Sequence, residues 1–301
     1  MIKSKIKSVQ STKKITRALE VVSIVKLQKS KHRAEALKEY LIDLLALISQ
    51  VGNIKDAYDD DQVITKSPSG NPEDLPQRKL IIAITSDRWL CGPINAKLLK
   101  EILEKHDLRD EKTDVFVIGR KGMEFFKRAK ANIVGGGHIS DRLEEEEILP
   151  LYTFFEEAVE SGQYASIDLY FNYFKNSLSH IPTCLQIYPL RQQAFEDLVA
   201  DVWIDYNITF SFDRSSLVIE PNKTAYQKEI KRQIKNYVLL SAVVQNKTWE
   251  HAARMIAMKN AKDNATSFAK KLVLNFNKAR QGAITQEISE IVSAGIAISD
   301  E

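Results

Sequence analysis

The chain has 301 residues, 44% hydrophobic and 28% charged, which is ordinary for a folded protein able to bury a core in one large or two modest domains. No apolar run approaches the roughly 18 residues of a membrane span, and two cysteines, Cys91 and Cys184, make no disulfide framework or metal cluster. The net charge of +3 hides a division: residues 1–51 hold 11 basic and 4 acidic groups, residues 223–301 hold 13 and 7, and residues 52–222 hold 19 and 29, so basic ends flank an acidic middle, an asymmetry that concerns partners rather than fold.

The opening, MIKSKIKSVQ, is basic but lacks arginine and an apolar run, and its pattern continues without a cleavage-like break. It reads as mature protein. All eight prolines fall between Pro68 and Pro221, and nine of the eleven glycines between Gly52 and Gly162. Because interior Pro costs about 3 kcal/mol and Gly about 1 kcal/mol in a helix, the two ends should be long helices flanking a compact region. Ala34, Leu37, Leu41, Leu44, Ile48 and Val51 step by three and four residues, and so do Ala261, Ala265, Phe268, Leu272, Phe276, Ala279 and Ala283. Such spacing is the seam of helices wound on a partner. The first helix is expected to end near Asp56, and the last to run from about Asn222 to about Ile298. At 1.5 Å per residue the last would reach about 115 Å and the first about 85 Å, so the longer should project beyond the shorter.

Between them, a connector over 58–77 carries DDDQ and three prolines. KLIIAIT (79–85) and DVFVIG (114–119) read as buried parallel strands, each followed by a helix, Ile94–Lys105 and Lys121–Lys130. A helix over Ile148–Ser161, a strand SIDLYFNYF (166–174) and a further strand LQIYPL (185–190) complete the pattern; 191–221 is placed only loosely. The fold class is therefore mixed α/β and α+β: a long antiparallel two-helix coiled coil plus a central Rossmann-like domain with a mostly parallel sheet. The domains are 1–57, the 58–77 connector, 78–221 and 222–301.

A parallel α/β domain raises the question of a phosphate loop. The turn SDRWLCGPIN (86–95) has neither dinucleotide nor P-loop spacing, and GGGH (135–138) leads into the acidic SDRLEEEE. The five histidines lack paired metal spacing, and Ser86 and Asp87 have no nearby histidine to form a nucleophile pair. No catalytic, metal or cofactor residue is assigned. The stretch WEHAARMIAMKNAKDN (249–264) is small, sulfur-rich and basic, with no ordinary core face.

The blocks IKSVQSTKKITRALEVVSIVKL (6–27), SDRWLCG (86–92), HAARMIAMKNAKDNA (251–265) and NKARQGAITQEISEIVSAG (277–295) resemble, in that order, the γ subunit family of F-type ATP synthases, tightly at both termini and loosely between about 130 and 220. The resemblance implies a rotor shaft whose tip turns inside a ring of α and β subunits. Its α/β domain would meet the ε subunit and the membrane c-ring, as a peripheral part of a complex on the cytoplasmic face of a bacterial inner membrane. Ion flow would drive it, ATP chemistry would belong to α and β, and this chain would be non-catalytic.

On that resemblance Lys13, Lys14, Arg17 and Lys26 are candidates to meet an acidic lever of β. Arg254 and Lys259 supply charge at intervals beside Met255 and Met258, which either give an adaptable surface or fill the coiled-coil seam, and Arg280, Gln281, Thr285, Gln286 and Glu287 match a polar catch for a β loop. Ser86, Asp87, Arg88, Trp89, Cys91 and Gly92 form the foot-domain turn. Here the chain departs from the family, which has glycines where Trp89 and Pro93 stand; with the acidic Glu144–Glu147 run, this leaves open a divergent paralogue. The rival reading is a basic coiled coil binding nucleic acid along its rod, since ten Lys/Arg and the single acid Glu20 lie between Lys3 and Arg33.

Overall fold

The computed structural model describes residues 2–51, 77–176, 180–190, 220 and 222–299. The expected connector, apart from Gln77, and nearly all of 191–221 lie outside these. Two long helices close the chain, α1 over Ile2–Val51 and α5 over Lys223–Ser299. Between them run β1 (Arg78–Ile84), α2 (Ile94–Lys105), β2 (Thr113–Ile118), α3 (Arg120–Ala129), β3 (Asn132–Gly137), α4 (Glu145–Glu160), β4 (Tyr164–Phe174) and β5 (His180–Tyr188). The chain divides into two compact units, one of residues 1–24 with 254–301 and the other of residues 25–253.

In the larger unit the strands lie in the order β3-β2-β1-β4-β5, parallel except for the antiparallel β4–β5 pair. β1 alternates between two cores, which explains its nearly unbroken apolar run. Ile81 and Ala83 face Leu98, Ile102 and Phe126 of α2 and α3. Leu80, Ile82 and Ile84 share the other core with Leu151 and Phe155 of α4, Leu41, Leu44 and Leu45 of α1, and Ile234 and Val238 of α5. In this unit the two long helices run antiparallel: the Tyr40 and Tyr237 rings lie 6.3 Å apart, and the Tyr226 hydroxyl donates to the Leu47 carbonyl at 3.5 Å.

Three local features differ from the sequence expectation. The glycine triplet is edge strand β3, not a loop. A side chain at Gly135 would meet the Phe116 ring at 2.8 Å, a ring itself stacked on Phe154 at 4.4 Å; Gly135 admits an aromatic neighbour rather than a phosphate. β5 begins at His180 and passes through Pro182, which an edge strand tolerates because its outer N–H groups need no partner. Helix α4 starts at Glu145, so Glu145–Glu147 form its first turn, where carboxylates favourably meet the positive end of the helix dipole.

In the smaller unit α1 and α5 again pair antiparallel. Glu20, the lone acid of the basic stretch, accepts two bonds from Lys262 Nζ, at 2.8 and 3.1 Å. Thr16 and Ser23 are buried, their hydroxyls donating to the carbonyls of Lys13 and Leu19. Of the expected α5 seam, Ala261, Ala265, Leu272 and Phe276 are half-buried, whereas Phe268 is 54% exposed and Ala279 and Ala283 are exposed. Helices rising equally from the Glu20–Lys262 pair put Ile2 opposite Arg280, so α5 has no α1 residue to face beyond that point. Every residue from 277 to 292 is exposed.

Candidate functional site

The turn after β1 is held by its own polar groups. Ser86 N–H donates to Asn95 Oδ1 at 3.1 Å, and Asn95 Nδ2 donates back to Ser86 Oγ at 2.7 Å. Cys91 is buried against this pair, its Sγ 3.5 Å from Ser86 Oγ. Gly92, at φ 69°, takes the left-handed conformation that lets the chain enter α2. Arg88 is exposed and Trp89 is 69% exposed, with the Lys121 ammonium 3.6 Å from the centre of the Trp89 ring.

Asp87 turns the other way. Its side chain is 7% exposed, and it accepts from Lys247 Nζ of α5 at 2.6 Å and from the Arg120 N–H at 3.3 Å. His138, just after β3, places Nδ1 at 2.8 Å from Oδ1, the oxygen that also accepts from Arg120, whereas Lys247 holds Oδ2. Burial opposes ionisation of this carboxyl, but Lys247 and His138 outweigh it and hold Asp87 below the usual carboxylate range.

A second carboxylate, Asp141 in the β3–α4 loop, ties down both long helices. Lys26 Nζ of α1 donates to Oδ2 at 2.6 Å, and Arg33 of α1 donates to the Asp141 carbonyl at 2.5 Å. His251 Nε2 of α5 lies 3.2 Å from Oδ1. The His251 contact, then Lys26, hold the Asp141 carboxyl far below its ordinary value despite burial. The loop is pinned in turn: Ser140 donates through N–H and Oγ to Glu147 of α4 at 3.0 and 2.8 Å.

These bonds surround an unusual stretch of helix. Asn246, Lys247, Thr248, Trp249, Glu250, His251 and Ala252 are each at most 4% exposed. Seven consecutive helical residues point in every direction, so α5 is enclosed on all sides here although most of its side chains are polar. Buried polar groups must be partnered, and β4 supplies further contacts: Asn172 Nδ2 donates to Asn246 Oδ1 at 3.0 Å, and the Phe174 N–H donates to Gln245 Oε1 at 3.4 Å. The start of the small, basic stretch 249–264 thus runs through a collar of loop and strand ends.

The remaining sequence-nominated residues lie outside this cluster. Lys14 and Arg17 are exposed and Lys13 is half-buried, whereas the Lys26 ammonium is engaged by Asp141 inside the chain. Arg254 is half-buried and Lys259 exposed, with Met258 buried and Met255 half-buried. Arg280, Gln281, Thr285, Gln286 and Glu287 all sit on the bare part of α5. There Thr285 Oγ1 donates to the Gln281 carbonyl at 2.9 Å, and Gln286 donates to Glu290 at 3.1 Å. Sequence reasoning missed His138, Asp141, Lys247 and His251 as a group; the one available signal was a helix with no polar-free face and no solvent-only face. Among the described residues no group of three or more His, Cys, Asp or Glu side chains could hold a metal ion.

An α/β unit clasped around its own terminal helices is the build of a stalk-type subunit. Residues 1–298 match the family model described as ATP synthase, and the chain belongs to that family. It is 36% identical to an ATP synthase gamma chain of Xanthomonas axonopodis pv. citri and 32% identical to one of Legionella pneumophila, each over 99% of this chain and 98% of the relative. Its fold is similar to a chain in the OSCP/F1/c-ring structure of the Euglena gracilis mitochondrial ATP synthase, with a TM-score of 0.65, 19% identity, and coverage of 99% of this chain and 93% of that one.

Proposed function

We propose that the chain is the rotor shaft of an F-type ATP synthase, carrying torque between a membrane c-ring and a catalytic ring of α and β subunits while performing no chemistry of its own. The observation that carries this reading is the end-to-end family match, over residues 1–298. Two features support it. The bare stretch 277–292 exposes Ile284, Ile288, Ile291 and Val292, an apolar surface for an enclosing partner to cover. Basic groups including Lys14 and Arg17 face outward while the one nearby acid, Glu20, is consumed internally by Lys262, which suits an acidic element of β.

In this reading the larger unit meets ε and the c-ring, and the chain acts peripherally at the cytoplasmic face of a bacterial inner membrane. No helix among the described residues is long and apolar enough to cross a membrane. Affinity purification of the tagged chain is the test. Co-purifying α, β and ε chains with ATPase activity are expected; nucleic acid released by salt, with no ATPase subunits, would replace the rotor by the nucleic-acid reading.

A further inference from the structure

We propose that the collar around α5 at residues 245–252 is the torque joint of this chain, with Asp87 and Asp141 as its positioning residues; the proposal rests on the rotor reading above. A shaft driven through a folded foot needs a place where a turning load passes from sheet to helix without slip. Apolar packing is non-directional and scales with buried area. It resists separation of a helix from its neighbours, and interdigitated side chains add some resistance to rotation and sliding. Charge-assisted hydrogen bonds are short and depend on angle, so they resist both.

The two carboxylates are placed to do this. Lys247 and His251 stand one helical turn apart on α5, and Lys26 and Arg33 two turns apart on α1, so each helix presents one stripe to the loops. Asp87 comes from the turn after β1 and Asp141 from the loop after β3, two exits at the same end of the parallel sheet with β2 between them. Asp141 touches both helices at once, through a 2.6 Å hydrogen bond from Lys26 on α1 and a 3.2 Å contact with His251 on α5, and so ties both to the sheet at one point. Asn246 and Gln245 add grips from β4.

The choice of chemistry points the same way. Buried ion pairs bear a large desolvation cost, and apolar residues of equal volume often stabilise a fold as well or better. A collar selected for stability alone would need none of these charges. Ionic groups add a defined angle, which is what a joint under torsion requires.

The experiment uses the assembled ATP synthase with a particle fixed to the α/β unit and its rotation followed under ATP. Arg33→Gln is the mild variant, since Arg33 is only half-buried; Lys247→Met is the severe one, and Arg33→Lys the conservative control. Both losses should leave ATP hydrolysis without load unchanged. The angular spread of the paused particle should widen about twofold for Arg33→Gln and more for Lys247→Met, ATP-driven ion pumping per ATP hydrolysed should fall at least twofold, and Arg33→Lys should restore most of both. An angular spread equal to the unsubstituted complex in both variants overturns the joint. So does failure of Arg33→Gln to assemble, which would make the network a folding element. If the particle on the unsubstituted complex does not rotate, the rotor reading itself fails, a separate outcome.

Discussion

Replacing Lys247 by methionine keeps the unbranched stem as far as Cε but strands the Asp87 carboxylate. Both side chains are nearly inaccessible, at 5% and 7% exposure, so the loss is that of a buried partner, a class costing about 3–5 kcal/mol. His138, 2.8 Å from Asp87 and 44% exposed, remains to compensate, which argues for the low end, about 3 kcal/mol. At about 2–4 °C per kcal/mol for a domain of 150–250 residues, the melting temperature should fall by about 6–12 °C.

The pH dependence is the sharper test. In the unsubstituted chain Asp87 is held below its ordinary value, so it contributes stability above about pH 4, lost as pH falls through the depressed folded value. Without Lys247, burial acts on the carboxyl with less opposition and favours the protonated form. Stability from that site should then improve on acidification, by about 1.4 kcal/mol for each unit below the raised value. Urea unfolding of the two full-length chains at pH 7 and pH 5 should therefore show a penalty that narrows toward pH 5. A penalty below about 1 kcal/mol, or one that stays constant across this interval, would refute the assignment of Asp87 and Lys247 as a buried ion pair.

Other consequences are simpler to measure. Ending the chain before Ile291 removes only residues beyond the reach of α1, so complex assembly should survive while coupling of ion transport to ATP turnover weakens; loss of the whole complex on native gels would contradict an unpaired tip. Replacing Arg280 and Gln281 together by alanine should slow multisite ATP turnover several-fold if the exposed polar patch engages a β loop, since bonds to charged groups are each worth roughly 1.5–3 kcal/mol; unchanged steady-state turnover would remove that role. Trp89→Ala should cost only about 0.5–1 kcal/mol in urea unfolding of the isolated chain, because the exposed ring's described partner is the Lys121 ammonium; a loss above 2 kcal/mol would mean the ring supports the turn.

Features set by neighbouring residues were readable from the chain. Freedom from glycine and proline over 1–51 and 222–281 predicts a long helix at each end, and the helices run Ile2–Val51 and Lys223–Ser299, the expected first end near Asp56 lying outside the described residues. The apolar runs of β1 and β2 were likewise legible, because a strand buried on both faces leaves no polar alternation. Strand β3 was not, since Gly135–Gly137 carry no side chain to report burial; the close approach at Gly135 is to Phe116 and that at Gly136 to the Val117 backbone, both on the adjacent strand. The bare C-terminal stretch followed from comparing two helix lengths.

The ionic joint was hidden for a different reason. Asp87 and Lys247 lie 160 positions apart, and Lys26 and Asp141 lie 115 apart, so neither pair leaves a local spacing. Each charge taken alone reads as a solvated side chain, the ordinary condition of Lys, Asp and His on a helix or turn. Yet Asn246 to Ala252 contain no hydrophobic stripe that could seat one face of α5 on a core. A segment without such a stripe cannot be seated on a core by one apolar face. Residues 246–252 are instead enclosed on all sides. Enclosure of polar side chains requires partners from elsewhere in the chain. The missing stripe at 246–252 was therefore itself the mark of a site whose other half comes from the exits of the sheet.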